Sequence, residues 1–295
     1  MDLMDWQIIQ TLAKEKSITV AAEKLFITQP ALTYRIKRME DELKIKLLVR
    51  TSKGVFFTGP GLLVVQYANE MLKQYSSLRN EISSVDEIVR GDVDVAVSPA
   101  FVRHKMVPIL AKFREEYPNV NVHIKATLST KAIEMLMEES VHLAIYRGNY
   151  NVNFETCLVC EEPITLIYKN KLDLENLASL PYIMYTTDIN LEREIINWWR
   201  ENYNTPPKTI MHINDSLTCR EMVANGLGFS ILPGIEYEDE NAASAFRHIN
   251  LKNKDGKLLI RPTWLAYKKP IGKIKAAKVF IDFFRTHVNV KGEYC

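Results

Sequence analysis

The sequence predicts an α+β protein in two parts. An N-terminal winged helix-turn-helix is continued by a long linker helix, and a two-lobed α/β domain follows. Three observations carry this. Thr28 to Thr58 reads as a capped helix leading into a basic two-stranded turn. From Gly61 to about Val89, apolar residues recur at helical spacing with no internal Pro or Gly. Beyond Asp92 the texture changes to alternating strand and helix patterns, as in a βαβ succession.

Taken in order, Leu3 to Leu12 carries Trp6, Ile9 and Leu12 on one helical face and can complete a small three-helix core. Ser17 then opens a short helix through Leu25, in which Ala21 and Ala22 allow a second helix to approach closely. That second helix begins at Thr28, whose hydroxyl can accept an amide of the first turn, with Pro30 where a missing N–H costs nothing. Leu32, Ile36, Met39 and Leu43 form an inward stripe. The opposite face holds Gln29, Thr33, Tyr34 and Lys37, with Arg38 near its edge. These are the hydrogen-bonding and cationic groups that base edges and phosphates require. Glu40, Asp41 and Glu42 come only at the far end, where they repel a polyanion least. Leu47–Arg50 and Val55–Thr58 flank Thr51-Ser52-Lys53-Gly54 and read as a two-stranded wing with Arg50 and Lys53 near its tip.

The helix from Gly61 spans roughly 40 Å at 1.5 Å per residue. Its apolar stripe, which includes Leu62, Tyr67, Met71, Tyr75, Leu78 and Ile82, exceeds what a small winged domain can cover. Antiparallel pairing with a second copy is expected. Asp86 to Asp92 reads as a hinge. Strands are then expected at Val93–Val97, Val120–Thr127, Val141–Tyr146, Ile164–Tyr168, Tyr182–Tyr185, Thr209–Ile213, Phe229–Leu232 and Leu258–Tyr267. Helices are expected at Met106–Glu116, Thr130–Glu138, Leu191–Tyr203, Leu217–Asn225 and Ile274–His287.

With 295 residues there is room for more than one domain and a sizeable core. The formal net charge is only +2, so any contact with nucleic acid depends on a local excess such as Arg35, Lys37, Arg38, Lys44, Lys46, Arg50 and Lys53. No apolar run approaches the length of a membrane span, the first residues are amphipathic with acids at Asp2 and Asp5, and a cytoplasmic protein is expected. Four cysteines suit reduced thiols better than a disulfide framework. Cys157 and Cys160 have redox or zinc spacing, but they fall in a β-segment, where residues three apart face opposite ways, and no His cluster accompanies them. Gly226 and Gly228 begin a dinucleotide fingerprint that Ile231 and the helix-to-strand order break. No phosphate loop, nucleophile elbow or H-E-x-x-H is present, so no enzyme, metal site or cofactor is expected.

Ala21-Ala22, Leu25, Gln29-Pro30-Ala31-Leu32-Thr33, Ile36, Glu40, Leu43, Leu47, Arg50, Thr58 and Gly61 closely resemble the N-terminal signature of the LysR-type transcriptional regulators. Thr33, Lys44 and Leu48 depart from it, where Ser, Gly and Phe are usual, and Gly59-Pro60-Gly61 is unusual at the wing-to-linker joint. Farther on the resemblance is looser, carried by Phe113, Tyr117-Pro118 and Val223 to Gly228 leading to Pro233.

The resemblance implies a winged helix-turn-helix DNA-binding domain over 1–59 and a linker and dimerisation helix over 60–89. It implies a periplasmic-binding-protein-like effector-binding domain over 90–295, with lobe I at about 91–161 and 267–295 and lobe II at about 162–266. It also implies a homodimer, commonly a homotetramer, acting on double-stranded promoter DNA, and on RNA polymerase if it activates. The DNA-binding candidates are Thr28, Gln29, Pro30, Thr33, Tyr34, Lys37, Arg38, Arg50 and Lys53. Ser98, Ser129, Thr130, Asn214 and Ser216 stand in loops before helices, where ligands of α/β sheets collect, and Arg147 could pair with a carboxylate. A small anionic metabolite is the expected effector, although Ser98, Ser129 and Ser216 could equally be ordinary helix caps. One alternative is a redox-sensing member of the family acting through Cys219, whose place near a helix N-terminus would lower its pKa. The others, outside that class, are a ligand-binding protein or an α/β enzyme with no DNA role.

Overall fold

A reciprocal cap starts the chain: Asp2 accepts the Asp5 amide and Asp5 accepts the Asp2 amide, each at 2.9 Å. Helix α1 (Leu3–Glu15) follows from it. The computed structural model describes residues 1–52, 54–83, 88–237, 246–269, 271 and 274–288. It divides into two units, Met1–Ile82 and Ser83–Cys295.

In the first unit, Ser17 caps α2 (Ile18–Lys24) and Thr28 caps α3 (Gln29–Leu43) by accepting the Ala31 amide at 3.3 Å. Ile8, Ile9, Leu12, Ala21, Ala22, Leu32, Ile36 and Met39 close the core between them. The expected inward stripe of α3 stops one turn early. Leu43 is 38% exposed, because the chain reverses at Lys44 and Leu47 takes the core position instead. Lys44 adopts φ 54°, the left-handed helix end that Gly usually supplies.

The wing is β1 (Leu48–Thr51) paired antiparallel with β2 (Gly54–Phe57), with Arg50 opposite Val55. Lys53 lies outside the described residues. Gly54, at φ +116°, brings its Cα against the Lys16 carbonyl, so that a Cβ would stand 2.5 Å from that oxygen. Thr58 donates its hydroxyl proton to the Lys46 carbonyl at 2.6 Å and accepts the Gly61 amide at 3.0 Å. This cap launches α4 (Gly59–Ser83), roughly 37 Å long at 1.5 Å per residue. Ala68 is buried against the small core, whereas Leu62, Leu63, Tyr67, Met71, Tyr75, Leu78 and Ile82 are exposed along the rest of the helix. Of the expected hinge, Asp86 and Glu87 lie outside the described residues, and Gly91 and Asp92 already belong to the next strand.

The second unit runs β3 (Gly91–Val97), α5 (Pro99–Phe101), a π-helical turn (Val102–Met106), α6 (Val107–Glu116), β4 (Val120–Ala126), α7 (Ser129–Met137), β5 (Leu143–Arg147) and β6 (Glu155–Tyr168). It continues with β7 (Pro181–Tyr185), α8 (Ile189–Asn202), β8 (Lys208–Ile213), α9 (Ser216–Ala224), β9 (Ser230–Pro233), β10 (Arg247–Asn250), β11 (Ile260–Tyr267) and α10 (Lys275–His287). The main sheet has the order β10-β6-β11-β5-β3-β4, with β9 also on β6, while β7 and β8 pair separately and parallel.

Two departures from expectation have local causes. Pro108 has no N–H to give, and just before it the Val107 amide reaches back to the Val102 carbonyl, so the expected helix from Met106 begins earlier and passes through π spacing. β6 begins nine residues before the expected Ile164, because Glu161-Glu162-Pro163 interrupts the apolar pattern without ending the ladder. The short, polar β10 was not expected at all. One face of the sheet is covered by α6 and α10, where Phe113 meets Phe280 edge-on at 5.0 Å. The other face is covered by α7 through Ala132, Ile133 and Leu136. A second core gathers the later half of β6 with β7, α8, α9 and β9, and Trp199 stacks on Phe229 within it.

At Gly61 an added Cβ would stand 2.3 Å from the Leu47 carbonyl oxygen. Gly61→Ala is therefore expected to destabilise the first unit by about 1–3 kcal/mol. Chemical denaturation should show the transition of that unit moving to lower denaturant while the transition of the second unit stays in place.

Candidate functional site

The outward face of α3 is held from behind. Asp5, fully buried, receives Nη1 of Arg35 and Nη2 of Arg38, both at 2.6 Å. Arg35 also bridges to Asp2, and donation to the two carboxylates raises the pKa of its guanidinium. Arg38 thus serves first to fix α3 on α1. Lys46 is tied to Glu40 at 2.8 Å. Among the sequence candidates, Thr28, Gln29, Pro30, Tyr34, Lys37 and Arg50 are exposed and Thr33 is half-buried. Gln29 accepts the Thr19 hydroxyl proton at 3.4 Å, which links the first residue of α3 to α2.

In the second unit the candidates fall into two groups. Thr130 and Asn214 are exposed. Ser98, Ser129, Arg147 and Ser216 lead into a network of buried charge. Ser98 caps α5 by accepting the Phe101 amide at 3.3 Å, just ahead of the π turn that holds Arg103 and His104. Ser129 is not a cap: its hydroxyl accepts the Arg147 amide at 3.0 Å. Asp215, not Ser216, caps α9, which leaves the Ser216 hydroxyl to donate to Glu236 at 2.5 Å.

The groups that join these residues were not singled out in the sequence. Arg147 is ion-paired with Glu162, whose other oxygen accepts the Ile235 amide at 2.8 Å. Arg261 is ion-paired with Asp188, which also accepts the Tyr150 hydroxyl proton at 3.1 Å. In the ladder Arg261 stands opposite Glu162, and Thr263 stands opposite Arg147, so Arg147, Arg261 and Glu162 meet across β5, β11 and β6, and Asp188 joins them from the N-terminal end of α8. Glu236, 1% exposed, faces Arg103 Nη2 and His104 Nε2, each at 3.4 Å. Burial opposes its ionisation, but His104, the Ser216 hydroxyl, Arg103 and Arg147 outweigh it and hold its carboxyl at about 2. Burial, then the neighbouring Arg261 cation, lowers Arg147 to about 9, so it stays charged at neutral pH. Arg147 Nε, Arg261 Nε and Thr263 Oγ1 are buried with no hydrogen-bond partner among the described residues. A small, shallow surface groove lined by Gly148, Asn149, Asn190, Glu194 and Arg261 among others opens at Arg261.

Two cysteine expectations change. Cys219 lies on α9, but burial pushes its thiol up to about 11, and it rests 3.1 Å from the Ser230 hydroxyl. The helix N-terminus is outweighed by the core, which removes the support for a reactive thiol there. A bulge in β6 sets Cys157 opposite Leu265 and Cys160 opposite Thr263. Those partners are two residues apart on one strand, so the two cysteines share a face rather than opposing faces.

Residues 3–62 match the model of the bacterial regulatory helix-turn-helix protein, lysR family, and residues 87–289 match that of the LysR substrate binding domain. Over 97% of this chain and 98% of the relative, the sequence is 34% identical to the uncharacterized HTH-type transcriptional regulator YraN of Bacillus subtilis (strain 168). The full-length Vibrio cholerae virulence activator AphB superposes with TM-score 0.62 at 15% identity, covering 98% of this chain and 100% of that one. Full-length CbnR complexed with its target DNA superposes with TM-score 0.68 at 15% identity, covering 97% and 100%. These two structures share the fold.

Removing one partner of a buried ion pair strands the other. Glu162→Gln is expected to lose ~3–5 kcal/mol of stability, and Arg147→Met with Glu162→Leu together to lose less than either single change. Urea unfolding of Glu162→Gln, of Arg147→Met and Glu162→Leu singly, and of the double variant measures this. Because the Glu236 carboxyl is held at about 2 against an ordinary 4.5, its contribution is complete above the ordinary value and disappears as pH falls from there through 2. That contribution is about 3 kcal/mol. The stability gap between the wild type and Glu236→Gln should therefore narrow between pH 5 and pH 2.5, and a gap that does not change with pH contradicts the assignment.

Proposed function

Since this chain belongs to the LysR family of helix-turn-helix transcriptional regulators, we propose that α3 reads promoter DNA and that a small anionic metabolite, bound at the buried charges of the second unit, sets the outcome. The chain is a DNA-binding regulator with an effector-binding domain and not an enzyme. The observation that carries the assignment of residues is the exposed polar face of a capped helix anchored on its other side by Asp5.

Gln29 and Thr33 read base edges in the major groove, Thr28 and Pro30 set the approach of the helix N-terminus, and Tyr34 supplies a ring with a hydroxyl. Lys37, Arg50 and Lys53 hold phosphates, and Arg38 chiefly orients α3. Residues 1–59 act as the DNA-binding domain, 60–89 as the linker and 90–295 as the effector domain, with lobe I at about 91–161 and 267–295 and lobe II at about 162–266. The apolar residues exposed along α4 pair with those of a second copy, and two such dimers form a tetramer. No helix among the described residues is long and apolar enough to cross a membrane, and the protein acts where the DNA is, in the cytoplasm. Contact with RNA polymerase follows if it activates.

The anionic character of the effector is supported by the unspent donors Arg147 Nε and Arg261 Nε and the groove at Arg261. A ligand carboxylate competes with Glu162, Asp188 and Glu236 for those cations. That loosens the contact of Arg103 and His104 on the π turn with Glu236, and so reorients one lobe on the other. Ser98, Ser129 and Ser216 shape the site, while Thr130 and Asn214 line its approach. A changed arrangement of DNA-reading heads alters the bend imposed on DNA, and bend energies of about 1–6 kcal/mol are enough to switch occupancy.

Gel-shift titration of the full-length protein against the intergenic DNA beside its own gene, at two salt concentrations and with random competitor, tests the reading. Binding should survive competitor and weaken with salt. Lys37→Ala and Arg50→Ala should each reduce the salt slope by about 1 without changing site preference, whereas Gln29→Ala should relax it by ~1–3 kcal/mol. Equal binding to random DNA at both salts contradicts the reading.

A further inference from the structure

Phe26 has the conformation and exposure of a residue kept for contact. Its ring is 96% exposed, while Leu25 and Ile27 on either side pack on the core of the first unit and so turn Phe26 outward. Its backbone is left-handed, at φ 55°. The Phe26 amide donates to the Glu23 carbonyl at 3.1 Å and the Ile27 amide to the Ala22 carbonyl at 3.0 Å. This paired closure of a helix end puts Phe26 where Gly or Asn is favoured. Two other helix ends in this unit with the same conformation are Lys16 and Lys44, both solvated cations. Phe26 therefore combines two unfavourable features, backbone strain and an apolar ring in water; closing α2 calls for the left-handed backbone but not for a phenyl ring there.

Its position supplies the reason. Phe26 lies in the turn between α2 and α3, two residues before the cap Thr28 and three before Gln29, and the Thr19–Gln29 hydrogen bond bridges the two helices across that turn. Tyr34, 70% exposed, adds a second aromatic ring on α3. We propose that Phe26 is a DNA-contact and specificity residue that packs its ring on a thymine methyl group and the adjoining deoxyribose at the edge of the major groove. Apolar contact with that methyl distinguishes thymine from the other bases. Exposed Thr28, Gln29 and Pro30 follow Phe26 almost directly and begin the proposed recognition face of α3, which makes DNA the occupant, and the inference rests on α3 reading DNA.

The test uses the full-length protein and a duplex selected by the wild type from a random-sequence library. Phe26→Asn removes the ring and relieves the backbone, so it should melt at no lower temperature than the wild type yet bind the selected duplex roughly tenfold more weakly, about 1.4 kcal/mol. Phe26→Tyr should bind within about twofold of the wild type, as retention of the ring predicts. Uracil in place of thymine, in a duplex otherwise the same, should weaken the wild type and leave Phe26→Asn unchanged, and the wild-type arm holds whatever the variants do to folding. Unchanged affinity of Phe26→Asn overturns the proposal even when the wild type binds specifically, and unchanged affinity with lost transcription would assign the ring to a protein partner instead. A library from which the wild type selects nothing defeats the reading of α3 itself.

Discussion

The antiparallel pairing of β6 with β11 is the constraint from which the second unit follows. β6 is fourteen residues long and contributes Val159 and Cys160 to one core and Ile164, Leu166 and Ile167 to another. Where the two cores meet, the register sets Arg261 against Glu162 and Thr263 against Arg147. Taking each such ion out of water costs several kcal/mol, and apolar residues of similar volume often fill such a place with equal or greater stability. Stability therefore does not explain why the junction is charged. The exchange of partners with an anionic ligand proposed above would account for it.

The first unit meets the opposite requirement. The face of α3 proposed to meet DNA is left uncovered, and the helix is positioned from its other side and from its ends. Asp5 provides the grip, since one buried carboxylate holds two guanidinium groups on successive turns of α3. Thr28 fixes the start of the helix and Lys44 its end. Gly54 and Gly61 allow the wing and α4 to pass against backbone carbonyls with no room for a side chain. A rigid support of this kind gives the exposed residues a single geometry in which to read DNA.

Much of this was legible along the chain. The cap at Thr28, the stripe Leu32-Ile36-Met39, the wing and the long apolar helix all rest on residues within a turn or two of one another. Where local pattern misled, a distant segment had intervened. Cys219 looked activated by its helix N-terminus, and burial against residues such as Ile183 and Ser230 reversed the shift. Cys157 and Cys160 were assigned opposite faces by strict alternation, and one bulge in β6 put them on the same face. For Ser129 and Ser216 local pattern left effector contact and an ordinary cap both open, and their hydroxyls serve Arg147 and Glu236 instead of capping.

By itself the sequence determined the kind of protein this is: a winged helix-turn-helix carried on a long helix and followed by an α/β effector domain. Caps, helical periodicity and turn residues act over a few positions, so the order of residues suffices to specify them. Only the tertiary structure decided which charges share the buried site. Glu162 meets Ile235 across 73 residues, and Arg261 meets Asp188 across the same span. Burial and ion pairing depend on which segments end up side by side, and no local pattern in the chain records that.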